Sequence, residues 1–386
     1  MGLKAGLAGQ FGFVTEDTPG VAKTPTLFLP FISETISRTR SPIESEAIYA
    51  GRRTMDSEQW ALGPNVVGGD IGLELYSKGT GTLFRHCFGG KATESLGGGL
   101  YRHTFTPGDL SGLTGCAQIG VPSTVAGVYP KTASGLKVSS WEIGVVAGEF
   151  ATFGMSFVGM KLQLGSRVVT DAVTTNGDKT VGSSSGALTD ADVGKSVSGT
   201  GIPAGAYIAS VNSATSFELS ANATATGTGV SVTIGLPLAS VTQPDLVPFT
   251  FRHGAILLGG SAARVKSATL TGDNAVSADD RLFIGEDNYD EALETDRRSY
   301  GGQLELEFES SAQYDRFVRG AEVALVLSFS QGDESLTITK NVRYDDAAVN
   351  VGSRGIVGQS LPVTGVGGTD AATITAVLEN TDSSAD

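Results

Sequence analysis

The sequence predicts a mainly β protein: two β-sandwich or barrel-like modules, each with one short packed helix and a long hairpin arm, plus a small β-sandwich inserted between them. Three observations predict it. Glycine fills 53 of 386 positions while proline fills 13, which suits short strands joined by tight turns, because glycine supplies positive-φ positions. From Ser166 to Gly235 the composition shifts to Ser, Thr, Gly, Ala and Val, with Tyr207 and Phe217 the sole aromatic residues. On either side of that stretch runs the same order of strand, helix and glycine.

In the first half, a polar strand at Glu34–Arg38 is followed by a polar excursion from Ser41 to Pro64. Gly69–Tyr76 then alternates apolar and polar residues, as a half-buried strand does. Thr82–Phe88 reads as a helix, with Phe84, Cys87 and Phe88 on one face by i, i+3, i+4 spacing and Gly89 closing it.

The second half repeats this order. Ala263–Ser267 is the upstream strand, Gly272–Ser299 the excursion, and Gly302–Phe308 the alternating strand. A helix follows over Ala312–Arg319, with Tyr314, Phe317 and Val318 on one face, Ser310 and Ser311 as caps, and Gly320 at its end. Further on, Tyr101–Phe105 matches Ser335–Thr339, and the last strands, Glu149–Val158 and Asp370–Leu378, match each other. The expected division is therefore 1–164, 165–236 and 237–386, the outer two being copies of one module.

Within the insert, Lys195–Ser198, Ala206–Val211, Ser216–Leu219 and Val230–Ile234 read as short strands. Their Val and Ile alternate with Ser and Thr, giving one buried and one wet face. Gly199–Gly205, Asn212–Ser213 and Gly227–Gly229 break the pattern. About 70 residues of this kind suit a small β-sandwich.

The formal net charge of −14 leaves no basic footprint for gripping phosphates. Cys87 and Cys116 form no CxxC pair and read as buried thiols. No stretch has the length of a signal-peptide core or a bilayer span.

Chemical motifs are weak. Gly182–Gly186 spells GxSxG but lies in a Ser/Gly turn, without the strand and helix a nucleophile elbow needs. Gly194-Lys195-Ser196 resembles the end of a phosphate loop, but Thr189 stands where the first glycine belongs. His86, His103 and His253 lack ligand spacing. The acidic run Asp279–Asp296 lacks the alternating ligands of a hand-type calcium loop, and reads instead as solvated, or as pairing with Arg297-Arg298 or a neighbour's Arg52-Arg53. These readings give no catalytic residue, cofactor or metal, and no enzyme.

Two stretches carry a resemblance. Glu16–Gly20, Thr24–Ile36, Ile43–Ser45, Gly51–Arg53 and Val67–Ile71 resemble the opening of tail tube (major tail) proteins of long-tailed, siphovirus-type phages. Asp192–Lys195, Gly199–Gly205 and Ile208–Val211 resemble an Ig-like β decoration module of phage structural proteins. The resemblance spans essentially the whole chain.

It implies subunits that close into rings and stack into a tube for DNA ejection, with arms and N-terminal segments joining stacked rings. With two modules per chain, a trimer of pseudo-sixfold symmetry is expected, a hexamer second. The arms are then Ser41–Pro64 and Gly272–Ser299, and the expected contacts between subunits or rings are Arg38, Arg40, Glu44, Arg52, Arg53, Asp287, Asp290, Arg297 and Arg298. Tail terminator, tape measure and baseplate proteins are the implied partners. DNA passes through transiently, no membrane is involved, and the chain belongs in the virion tail after assembly in the host cytoplasm. A lumen lined with carboxylates would let DNA slide. The alternative is a phage surface or fibre-type protein whose insert binds host carbohydrate.

Overall fold

The computed structural model describes residues 6–123, 127–240, 246–349 and 356–385. Met1–Ala5, where the sequence shows no leader-type apolar core, lie outside the described residues. The first half contains β1 (Gln10–Thr15), β2 (Val66–Glu74), α1 (Gly81–Phe88), β3 (Gly89–Gly97), β4 (Leu100–Pro107), β5 (Gly115–Ser123), β6 (Gly127–Val146) and β7 (Thr152–Gly159). The second contains β8 (Val265–Asp273), β9 (Ser299–Glu307), α2 (Ala312–Val318), β10 (Val323–Gln331), β11 (Glu334–Tyr344), β12 (Gly358–Gly365) and β13 (Ile374–Asn380).

Hydrogen bonding joins β2, β7, β6, β8, β9 and β12, in that order, into one antiparallel run. The two halves meet in it where Ser140–Val146 of β6 pairs with Ser267–Asp273 of β8. A second antiparallel run has the order β3, β4, β13, β11, β10. Buried side chains of both runs, and Phe84 and Phe88 of α1, form one core cluster. The pairing of β11 with β12 joins the two runs within one 19-stranded sheet, which folds over so that its apolar faces bury a shared core.

The repeat is visible strand by strand. β2 and β9 are each nine residues long and show the same sequence of exposed and buried positions. Gly69 and Gly302 occupy the same place in them. Gly69 has φ +142°, and a Cβ there would meet the Ile36 backbone at 2.7 Å, so only glycine fits. Tyr101–Phe105 and Ser335–Thr339, matched in sequence, flank β13 on its two sides.

The matching of Glu149–Val158 with Asp370–Leu378 is corrected. β7 pairs with β2, and the strand that pairs likewise with β9 is β12, not β13. β13 instead bridges the two halves of the second run, so its apolar alternation served a different neighbour.

The helices differ in burial. Phe84, Cys87 and Phe88 are wholly buried, with Phe84 stacked between Phe105 and Phe153 at 5.6 and 4.9 Å. Gly89 ends α1 at φ +91°, where a Cβ would strike the Gly108 carbonyl. In α2, Phe317 packs on the core, but Tyr314 and Val318 remain 47 % and 63 % exposed. Ser311, its N-cap residue, makes no side-chain cap bond.

Residues 167–234 hold a separate six-stranded sheet with its own core of Val169, Val181, Ile208, Phe217, Leu219, Val232 and neighbours. Arg167–Thr174 and Thr180–Gly182 are strands of it that alternation alone had not singled out. The sheet's end strands, Val197–Gly199 and Ile208–Ser213, approach each other through a bridge between Ser196 and Tyr207. It therefore curls back on itself around that core.

Both excursions form small hairpins. Pro42–Glu44 pairs with Trp60–Leu62, and Val276–Ser277 with Leu293–Glu294. They are less polar than the sequence reading held: Ile43, Ile48, Trp60 and Leu62 stand exposed on the first, and Phe283 and Ile284 on the second.

Candidate functional site

Side chains alternate along a strand, so burying one face of the β2-β7-β6-β8-β9-β12 run leaves a continuous opposite face. The register places its residues in rows. One row reads Asp70, Ser156, Ser140, Asp273, Ser299. The next reads Gly72, Gly154, Glu142, Thr271, Gly301, Thr364. Then come Glu74, Thr152, Gly144, Thr269, Gln303, Pro362, and finally Val146, Ser267, Glu305, Ser360.

Within these six strands the rows hold carboxylates at Asp70, Asp273, Glu142, Glu74 and Glu305 and no lysine or arginine; beyond them the second row continues from Thr364 to Arg343 of β11, which pairs with Asp345 at 3.2 Å. The remaining positions are mostly Gly, Ser and Thr, so little projects from the surface. The donors that orient the carboxylates are neutral. Ser156 Oγ donates to Asp70 at 2.6 Å, while Gln303 Nε2 and Ser360 Oγ each donate to Glu305 at 2.7 Å. Tyr76 donates to Glu74 at 3.1 Å, and its own hydroxyl is pushed up to about 12 by burial first and by that carboxylate second. The negative charge is positioned and left unneutralised.

Cations lie at the margin or behind. Lys266, bulged from the β8 pairing beyond the last row, meets Glu307 at 3.2 Å. Behind the sheet, Lys340 is fully buried and donates to the Gly301 carbonyl at 2.6 Å; burial lowers its ammonium to about 7.

The charged residues singled out from sequence lie elsewhere, and several are engaged within the chain. Arg40 pairs with Asp287 at 2.8 Å and donates to the Gly63 carbonyl, while Arg52 pairs with Asp56. Asp290 lies 3.6 Å from Arg281. Arg298 is nearly buried, pairs with Glu294 at 2.7 Å, and donates to the carbonyls of Phe88 and Gly108. The acidic run thus pairs mainly within its own fold, with Glu291 reaching the buried Lys137 at 2.6 Å. Arg38, Glu44, Arg53 and Arg297 are exposed.

The dismissed motifs have structural uses. Ser183, Ser184 and Ser185 all donate to Asp171, which holds that carboxyl well below its usual range. Lys195 and Arg167 clamp the buried Asp192. His86 meets Thr15 at 3.0 Å, His103 meets Thr93 and the Asp382 carbonyl, and His253 faces Thr250. Cys87 and Cys116 are buried free thiols. Among the described residues no group of three or more His, Cys, Asp or Glu is placed to hold a metal.

A family model for phage tail tube protein matches residues 6–222 and again 203–365. The chain belongs to the phage tail tube protein family. Two matches in one chain agree with the paired β2 and β9 and with two tandem tube-like domains. A search of curated proteins found no match. Membership makes this tail tube protein a structural component of the virion tail that assembles with itself into a tube.

The sequence reading did not isolate the carboxylate rows. Alternation in Gly69–Tyr76 already put Asp70 and Glu74 on one face of a strand. What was missing was the pairing of β6 with β8, which alone makes the faces of two halves continuous.

Proposed function

We propose that the tail tube protein closes into rings, three chains to a ring, and that the open face of the β2-β7-β6-β8-β9-β12 run lines the channel through which DNA is ejected. The observation carrying this reading is the set of rows without lysine or arginine that crosses both halves unbroken. Facing phosphates, such a wall repels and releases no counterions, so DNA passes without sticking. Screening falls off over about 8 Å at physiological salt, so the effect acts on DNA that grazes the wall.

Ring closure covers the outer edge of β3, the one end of the two runs without a second partner strand among the described residues, since β2, β12 and β10 already pair with Ser33–Thr39, β11 and Gly254–Leu258. Two modules per chain favour a trimer of pseudo-sixfold symmetry over a hexamer. In this reading the chain divides at 1–164, 165–236 and 237–386, and the middle unit decorates the outer wall of a siphovirus-type tail. Assembly takes place in the host cytoplasm, and the tube meets a tail terminator, a tape measure and a baseplate. Arg38, Glu44, Arg53 and Arg297, exposed in the single chain, remain the charged candidates for contacts between subunits or rings.

Electron microscopy of the purified protein tests this. Hollow tubes with three copies per ring are the expected result. A protein that stays monomeric at high concentration would overturn the reading.

A further inference from the structure

The middle unit meets the main body of the chain at a pair of glycines. Gly165 and Gly235 both have φ +79°, a left-handed conformation that glycine reaches without strain. Gly165 donates to the Pro130 carbonyl at 2.7 Å, in the main body, while Gly235 donates to the Ser196 carbonyl at 2.8 Å, inside the unit. Fixed structure begins on either side of the pair, so rotation there moves the unit as one body and leaves its sheet intact.

Contacts elsewhere resist that rotation. Gln163 Oε1 accepts both the N–H and the hydroxyl of Ser196, at 3.0 and 3.2 Å. Lys161 Nζ lies 4.3 Å from the centre of the Tyr207 ring, a cation–π contact. Gly205 faces Val21, where a Cβ would meet the valine methyl groups at 3.5 and 3.7 Å. Among these contacts runs a groove of about 170 Å³, reached by Gly20, Ser134, Ser198 and Leu236. A second, of about 380 Å³, separates Val193 and Ala209 from the loop at residues 285–290. The unit is held at separate points around open space, and its core cluster shares no residue with the main one.

Lys161 does not depend on the unit for its charge. Burial lowers its ammonium below the ordinary lysine value, and Glu16, Asp290 and Glu286, all in the main body, act against that. Withdrawal of Tyr207 leaves the ammonium beside these carboxylates, so opening strands no buried charge.

We propose that the middle unit is a hinged body with a closed and an open position, latched shut by Lys161, Gln163 and Val21 of the main body against Tyr207, Ser196 and Gly205. This rests on the proposed division of the chain at 165 and 236. It lets the unit change its angle while the surrounding sheets stay as they are, and it requires the separate contacts to open together.

Hydrogen exchange of the full chain, read by NMR, tests it. The Ser196 N–H is held by Gln163 Oε1, so it exchanges when the unit opens. Lys161→Ala removes the cation–π contact, and Val21→Phe drives a wedge against Gly205 from a segment remote from Gln163. Each is expected to speed exchange at Ser196 by about fivefold or more. The amides of Val181 and Phe217, paired inside the unit's own sheet, are expected to stay unchanged. Unchanged exchange at Ser196 would overturn the latch and leave the domain division standing. Acceleration by Lys161→Ala alone, through the strand it shares with Gln163, would do the same. Acceleration at Val181 and Phe217 as well would mean that the unit unfolds in place of swinging, and would overturn both.

Discussion

Ser140 stands opposite Asp273 across the seam that joins the two halves. On the other side of Ser140 lies Ser156, which donates to Asp70. One polar row therefore crosses both modules, and neither half alone would present it.

Reversing charge on this face should make the channel sticky. Asp70→Lys, Glu142→Lys and Asp273→Lys together replace three acids that point outward from the sheet. Assembled tubes of this variant are expected to retain double-stranded DNA at low salt, where the parent tubes do not. Retention should weaken steeply with salt, the log–log slope growing by about 0.9 for each phosphate contacted. Co-sedimentation over a salt series measures this; equal retention by both tubes would place the face out of reach of DNA.

The seam should depend on Arg298. Its guanidinium lies between Glu294 and the carbonyl groups of Phe88 and Gly108, 10 % exposed at the side chain. Arg298→Met removes the guanidinium from Glu294, which keeps the Leu110 N–H, and from the Phe88 carbonyl, which keeps the Gly108 N–H, so the expected loss is that of charge-assisted hydrogen bonds, about 2 kcal/mol. Chemical denaturation is the measurement, and an unchanged midpoint would mean that the apolar packing of Trp141, Phe88 and Tyr300 carries the seam by itself.

His86 should impose an acid limit on stability. Burial, with smaller contributions from Arg85 and Lys137, lowers its imidazole from 6.5 to about 3. The folded state thus depresses the group, so its contribution is complete above pH 6.5 and is lost as pH falls towards 3. The slope in that window can reach about 1.4 kcal/mol per pH unit. His86→Gln has no proton to take up and should flatten the urea midpoint between pH 6 and pH 4. Parallel slopes in the two proteins would assign the acid sensitivity to other groups.

The middle unit should be dispensable for assembly. Its core cluster shares no residue with the main one. Deleting Gly165–Gly235 is expected to leave rings and tubes that electron microscopy shows as thinner on the outside but unchanged in bore. Loss of folding in the truncated chain would mean that the Gln163–Ser196 and Lys161–Tyr207 contacts are structural necessities.

Local pattern carried much of this fold. The alternation of Gly69–Tyr76 and Gly302–Phe308 was legible because half-buried strands leave a period of two. The i, i+3, i+4 spacing in α1 and α2 was legible for the same kind of reason. Pairing was not. Nothing in the alternation of Ile374–Asn380 says that it hydrogen-bonds to β4 and β11 rather than to β9. The site was harder still, because a carboxylate row is a property of register across strands far apart in sequence. The basic and acidic residues that attract notice in a linear reading, such as Arg298 and Asp287, turned out to be engaged within the chain.

Gly165 and Gly235 sit against each other where the middle unit begins and ends; a Cβ on Gly235 would strike the Gly165 carbonyl at 2.3 Å. Just beyond, Arg167 and Ile234 are paired partners on adjacent strands. The chain leaves and returns through a neck one strand-spacing wide, so the loop-closure cost falls on the guest and not on the host. Any compact domain whose two ends lie side by side could be grafted at this neck, which makes the protein a natural frame for displaying foreign domains in dense, regular array.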